Sequence, residues 1–309
     1  MPIDPPSTAS SPFIAITGAS GMIGGALVTR LRLSGKRVRR LVRSRSRATP
    51  DDIVWDPMRG TLEPRDLEGA EAVVNLAGEP IAQRWTGARR EAIRESRVRG
   101  TELLARAIAA VDRKPSVLLS GSAVGFYGDR GDEAVDEESA SGTDFLAGVA
   151  REWESATGAA RDAGVRVVLL RTGIVLSPHG GALERLLPHF RLAVGGPIGT
   201  GKQWMSWIAL DDHLGAMEHA IATVGLHGPV NLVAPNPVTN AEFAATLGRV
   251  LGRPALVPVP SFALELLYGE MARTTILAGQ RVLPKKLLRS GFHFAHPSLE
   301  EALRFELAR

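Results

Sequence analysis

A short apolar run, a glycine-rich turn and an amphipathic stretch follow one another near the start of this chain. No other feature constrains the fold as much. Residues 13–24 read Phe-Ile-Ala-Ile-Thr, then Gly18-Ala19-Ser20-Gly21-Met22-Ile23-Gly24. The apolar run fits a buried parallel strand. The glycines follow the spacing G-x-x-G-x-x-G. Ile23, Leu27 and Leu31 then share one helical face, and Gly35 is a C-terminal stop. In this order the three parts make a phosphate site. Glycines let backbone N–H groups approach a pyrophosphate, and the helix N-terminus adds its positive dipole end. Gly18, Ser20, Gly21, Met22, Ile23 and Gly24 are expected to hold that group. The alternative is a tight turn without a ligand, and the flanking strand and helix argue against it.

The net charge is +4 and the sequence pI is about 9.8, which raises nucleic acid as a partner. Most of the basic bias lies in residues 30–47, where no acidic and no aromatic residue occurs. A nucleic-acid surface would usually interleave aromatics, so no nucleic-acid partner is expected. These charges flank a predicted strand, Val38–Val42, where the adenosine ribose of a dinucleotide lies. Nineteen residues past Gly24 stands Arg43, followed by Ser44. An NAD site places Asp or Glu there to accept from the ribose 2′-OH. A guanidinium suits a 2′-phosphate instead. Arg43 and Ser44 therefore favour NADP(H) over NAD(H). Arg30, Arg32 and Lys36 read as a solvated basic face.

The first half continues as alternating strand and helix. Ile53-Val54-Trp55 is a short strand ending at Asp56, and residues 72–78 form a buried strand entering a loop at Leu76, Ala77 and Gly78. A helix carries Leu103, Leu104, Ala107 and Ile108. A strand at 117–120 runs into Gly121-Ser122, and a helix starts near Asp144. Residues 165–170 form a further strand before Arg171, Thr172 and Gly173. Repeated βα units predict an α/β fold, a Rossmann-type doubly wound parallel sheet with a smaller C-terminal substrate lobe. Ligands bind beyond the carboxyl ends of such strands. That rule brings Gly18, Arg43, Asp56, Leu76, Ala77, Gly78, Ser122, Arg171, Thr172 and Gly173 to one crevice.

The chain has no cysteine, so disulfides and thiolate chemistry are excluded. No apolar run approaches the ~20 residues that span a membrane. Residues 1–12 read as a disordered tail without the pattern of a signal peptide, and a cytoplasmic setting is the default. In the second half His179, Gly180 and Gly181 precede a helix. Residues 197–207 form a loop in which Trp204 and Trp207 either stack on a substrate or are buried. Asp211 and Asp212 are expected to cap the next helix, and no metal site is expected. Thr239 and Glu242 make a capping box, with Gly252 as the stop. Lys285 and Lys286 are expected to be exposed.

The segments ITGASGMIG, VVNLAGEPI, SGSAVGFYGDRGDE, LLRTGIVLSPHGGAL, GGPIGTGKQWMSWIALDD, GPVNLVAPNPVTNAEF and GQRVLPKKLLRSGF carry a resemblance. They resemble the extended short-chain dehydrogenase/reductases, within them the atypical group labelled epimerase family protein. The resemblance implies a Rossmann domain over 13–175 that binds a nicotinamide cofactor. It also implies a substrate-side lobe over 176–309, with a family-specific segment at 255–305.

That superfamily uses a Ser or Thr, then Tyr-x-x-x-Lys on the following helix. Ser122 matches the Ser. If Glu154 matches the acidic residue beyond the Lys, Leu146 and Ala150 stand where Tyr and Lys should. Arg97 stands in place of the Asn of an Asn-Val-x-Gly-Thr motif. The chain has two tyrosines, and Tyr127 is the phenol near Ser122; its other reading is a loop-packing residue. Ser122, Tyr127 and Arg97 are thus the catalytic candidates. Two function classes follow. One is an NADP(H)-dependent oxidoreductase or epimerase acting on a small polar, sugar-like molecule. The other is a non-catalytic NADP(H)-binding sensor or scaffold.

Overall fold

The computed structural model describes residues 12–308, so the tail expected over 1–12 lies, except for Pro12, outside the described residues. Seven strands form a parallel sheet. They are β1 (Phe13–Thr17), β2 (Val38–Val42), β3 (Ile53–Val54), β4 (Ala70–Asn75), β5 (Val117–Ala123), β6 (Arg166–Thr172) and β7 (Gly228–Leu232). Their order is β7-β6-β5-β4-β1-β2-β3, with every pairing parallel. The chain leaves β1 toward β2 and returns on its other side as β4. That reversal opens a crevice between the turns after β1 and β4.

The helices are α1 (Met22–Leu33), α2 (Gly87–Ala110), α3 (Phe145–Ser155), α4 (Gly158–Asp162), α5 (Gly181–Arg191) and α6 (Leu210–Ala222). They continue with α7 (Asn240–Leu251), α8 (Ser261–Tyr268), α9 (Lys285–Arg289) and α10 (Leu299–Leu307). Strand side chains alternate between the two faces. Ile14, Ile16, Val74, Leu119 and Leu170 pack with Leu27 and Leu31 of α1 and Leu214 and Met217 of α6. Ala15, Val73, Leu118 and Leu169 pack with Leu104 and Ile108 of α2 and Ala160 of α4. Each fully buried aliphatic side chain contributes about 1.5–3 kcal/mol.

A third core joins Leu183, Leu187 and Phe190 of α5 with Trp207, Phe243, Leu247, Leu299 and Leu303. It is the centre of the C-terminal lobe. The chain beyond residue 176 also returns to the sheet, through α6 and β7. The capping box at Thr239 and Glu242 forms as expected, and Gly252 ends α7 in the left-handed conformation at φ +62°. Asp144 caps α3 by accepting from the Ala147 N–H at 2.9 Å.

The expected cap on α6 does not form. Ala209 holds the N-cap position and no side chain caps it. Asp212 is instead buried and accepts from the Ala295 and His296 N–H groups at 2.7 and 2.9 Å, which fastens the C-terminal segment to α6. Asp211 pairs with Arg30, which also binds Glu218 at 2.7 Å. Arg30 is therefore a tie between α1 and α6, not part of a solvated face. Lys285 is exposed and pairs with Asp136, whereas Lys286 is partly buried and donates to the His227 carbonyl.

Candidate functional site

The glycine turn shows why each glycine stands where it does. Gly18 has φ +68°, and a Cβ there would lie 2.6 Å from the Leu76 carbonyl oxygen. A Cβ on Gly24 would collide with the Gly18 carbonyl. These two glycines let the β1 turn, the β4 turn and α1 touch. Gly21 differs, because its Cβ would meet only the Gly18 oxygen, at 3.4 Å. It faces open space at the N-terminus of α1. The first-turn N–H groups there have no intrahelical acceptor, and no side chain caps them. Gly180 closes over this point: a Cβ on it would meet the Met22 Sδ at 2.7 Å.

At the next strand the basic residues divide. Arg40 forks onto the buried Asp52 at 2.9 and 2.6 Å. Burial pushes the Asp52 carboxyl up, but hydrogen bonds from Arg40 and Thr49 outweigh it and hold the pKa at about 2. Arg39 donates to the carbonyls of Asp51 and Asp66, and Arg37 pairs with Asp51. Arg43 and Ser44 are exposed at the carboxyl end of β2. Arg43 makes no hydrogen bond or ion pair among the described residues, and the Ser44 hydroxyl meets that of Ser46 at 2.8 Å. Asp56, at the end of β3, receives the N–H groups of Met58 and Arg59 in its own turn.

The β4 turn is fixed from below. Thr17 donates to Asn75 at 2.7 Å and accepts from the N–H groups of Leu76 and Ala77. Asn75 and Trp153 both donate to the Thr101 hydroxyl. Gly78 lies against Arg97, whose guanidinium is 3.2 Å from where a Cβ would stand. From above, Arg84 donates to the Leu266 carbonyl and Arg90 pairs with Glu270 at 2.7 Å. These two contacts fasten residues 266–270 to the loop after β4 and to α2.

Beyond β5 the geometry differs from expectation. Ser122 is buried and donates to Glu154 at 2.7 Å. Arg171, its neighbour in register on β6, forks onto the same carboxylate at 2.8 and 3.0 Å. Arg171 also donates to the Tyr127 hydroxyl at 3.0 Å and stacks on Phe126. Tyr127 in turn donates to Asn231 at 2.7 Å and is fully buried. Burial pushes its pKa up to about 12, although the Arg171 charge opposes the shift. Tyr127 as a proton donor in the crevice does not fit this geometry; it is a tie within the protein. Arg171 as a cofactor contact does not fit either, since its donors are engaged inside. Gly173 is needed for packing, because a Cβ would meet the Val233 side chain at 2.6 Å. Thr172 meets the buried His213 at 3.1 Å, and burial lowers that imidazole to about 4. Leu146 packs 3.6 Å from where a Gly125 Cβ would lie, and Ala150 is buried. Trp207 is buried and donates to the Asn236 carbonyl; Trp204 is half-buried and donates to Asp132. Among the described residues no group of three His, Asp or Glu side chains is placed to hold a metal ion, and no helix is long and apolar enough to cross a membrane.

Residues 14–232 match the NAD dependent epimerase/dehydratase family. The chain belongs to that family. Residues 259–306 match a domain of unknown function, DUF1731. An epimerase family protein of Mycobacterium tuberculosis is 46% identical, over 96% of this chain and 98% of the relative. The crystal structure of human epimerase family protein SDR39U1 (isoform 2) with NADPH is similar at TM-score 0.89 and 35% identity, over 96% of this chain and 99% of that one. A nucleoside-diphosphate sugar epimerase from Corynebacterium glutamicum matches at TM-score 0.78 and 41% identity, over 96% of this chain and 58% of that one.

Within this family member two site features escape sequence reasoning. Glu154 serves there only as an alignment anchor, yet it organises Ser122 and Arg171. The signal was its spacing, one face of α3 with Ala150 and Trp153. The approach of Gly180 to Met22 joins positions far apart in sequence and left no local sign.

Proposed function

We propose that this chain binds NADP(H) along the crevice and acts as an oxidoreductase or epimerase-like enzyme on a small polar, sugar-like substrate. One observation carries the cofactor choice: Arg37 before β2 and Arg39 and Arg40 within it are engaged by Asp51, Asp52 and backbone carbonyls, while Arg43 beyond them is uncommitted. In this reading Gly18, Ser20, Gly21, Met22, Ile23 and Gly24 shape the pyrophosphate turn. Arg43 and Ser44 hold the 2′-phosphate, and Asp56 borders the adenosine end. Leu76, Ala77 and Gly78 carry the other half toward Thr172 and Gly173. The NADPH in the human relative's structure supports the reading, and the sugar epimerase of Corynebacterium glutamicum supports the substrate class.

A bound nicotinamide supplies or accepts a hydride. The protein must then manage a proton at the substrate oxygen. Ser122 stands at the reacting end with its own proton committed to Glu154, so it offers lone pairs to a substrate hydroxyl. Leu146 and Ala150 can neither donate a proton nor shift a neighbour's pKa. Those two residues favour a second reading, a non-catalytic NADP(H)-binding sensor. Loss of NADPH absorbance across a carbonyl panel, with product analysis on nucleotide sugars for epimerisation, decides between them. Turnover abolished by Ser122→Ala supports the enzyme. Tight NADPH binding with no turnover on any panel member supports the sensor.

A further inference from the structure

Arg97 holds a charge whose hydrogen bonding the protein leaves half complete. Its Nη1 donates to the Ile93 carbonyl at 3.0 Å and the Glu79 carbonyl at 3.1 Å. A guanidinium carries five N–H donors. Among the described residues Nε and Nη2 have no protein acceptor, and Arg97 has no ion-pair partner. The Trp153 ring lies 5.1 Å from its Cζ. Gly78 lies close as well: a Cβ there would stand 3.3 Å from Nη2. Burial lowers the pKa to about 10, with the Glu79 charge opposing, so the group stays cationic at neutral pH. Arg97 is only partly buried, so its unbonded Nε and Nη2 donors are open to the oxygens of a bound molecule.

The sheet order says which part of a dinucleotide reaches this point. The pyrophosphate lies at the β1 turn and the adenosine side extends over β2. The other half must run the opposite way, over β4 and then β5, with strands about 4.8 Å apart. Its first group past the pyrophosphate is the second ribose, at the β4 turn that Gly78 ends. We propose that Arg97 grips the hydroxyl oxygens of the nicotinamide-side ribose through its Nε and Nη2 edge, and that Gly78 is small so that the guanidinium can lie beneath the turn. This rests on the NADP(H) reading above.

The test is calorimetry of the whole chain with two probes, NADPH and adenosine 2′,5′-bisphosphate. The second probe keeps the 2′-phosphate but lacks the nicotinamide-side ribose. Arg97→Gln should weaken NADPH about tenfold or more and leave the bisphosphate unchanged. NADPH affinity equal to wild type overturns the inference, as does an equal loss on both probes. Should Arg97→Gln fail to fold, Arg97→Lys keeps the cation without the fork, and the same split is expected there; unchanged NADPH affinity in that variant overturns the inference too. A wild type that binds neither probe overturns the cofactor reading, and this inference with it.

Discussion

The Ser122 hydroxyl donates to Glu154 Oε1 across 2.7 Å, and Arg171 forks onto both oxygens of that carboxylate, sharing Oε1 with Ser122. This sets what Ser122 can do. Its hydrogen is committed to Glu154, so the oxygen lone pairs are what it has left to offer a ligand.

The Glu154–Arg171 pair is nearly enclosed, with side-chain exposures of 11% and 4%. Glu154→Gln leaves a buried guanidinium without its counter-charge, and breaking such a pair costs about 3–5 kcal/mol. Ser122→Ala removes one hydrogen bond at about 1 kcal/mol. Urea denaturation should rank the two variants in that order. A Glu154→Gln variant as stable as Ser122→Ala would contradict the network.

Tyr127→Phe deletes the hydroxyl between Asn231 and Arg171. Two buried polar groups lose a partner, at about 1–3 kcal/mol. Thermal unfolding should move down while NADPH affinity stays at wild type. A variant of normal stability with lost turnover would return Tyr127 to the chemistry.

The glycines predict a split between folding and binding. Gly18→Ala forces a side chain onto a left-handed backbone and against the Leu76 carbonyl, so it should destabilise the fold. Gly21→Val projects into open space and should leave the unfolding midpoint near wild type while abolishing NADPH binding. Calorimetry showing unchanged NADPH affinity in folded Gly21→Val would sink the phosphate site.

Acid should act in two windows. His213 is buried, and its folded pKa near 4 lies below the unfolded value of about 6.5. Protonation therefore favours the unfolded chain, and stability is lost as pH falls from about 6.5 toward 4. Asp52 has a depressed folded pKa, about 2. Its contribution is present above about pH 4 and lost as pH falls toward 2. Thermal midpoints against pH should flatten in the first window for His213→Gln and in the second for Asp52→Asn. Slopes identical to wild type would remove these groups from the account.

The sequence carried the sheet well, because alternating apolar strands and helical faces are local patterns. Val38–Val42 matches β2 residue for residue, and Thr239 with Glu242 forms the expected capping box. What it could not carry were partners distant along the chain. Arg30 meets α6 some 180 residues on. Arg171 looks like a crevice residue by its place after a strand, but Glu154 and Tyr127 hold it inside. Asp211 and Asp212 look like caps by spacing, yet stronger acceptor roles elsewhere draw them away.

The cofactor claim rests on Arg43, exposed and uncommitted where β2 ends. A charged hydrogen bond to a phosphate contributes about 1.5–3 kcal/mol, or roughly tenfold to a hundredfold in affinity. The direct measurement is calorimetric titration of wild type and Arg43→Ala with NADPH and NADH. The account predicts that wild type prefers NADPH, that Arg43→Ala weakens NADPH by about that factor, and that NADH is nearly unchanged. Wild-type affinity for NADH equal to that for NADPH would contradict it.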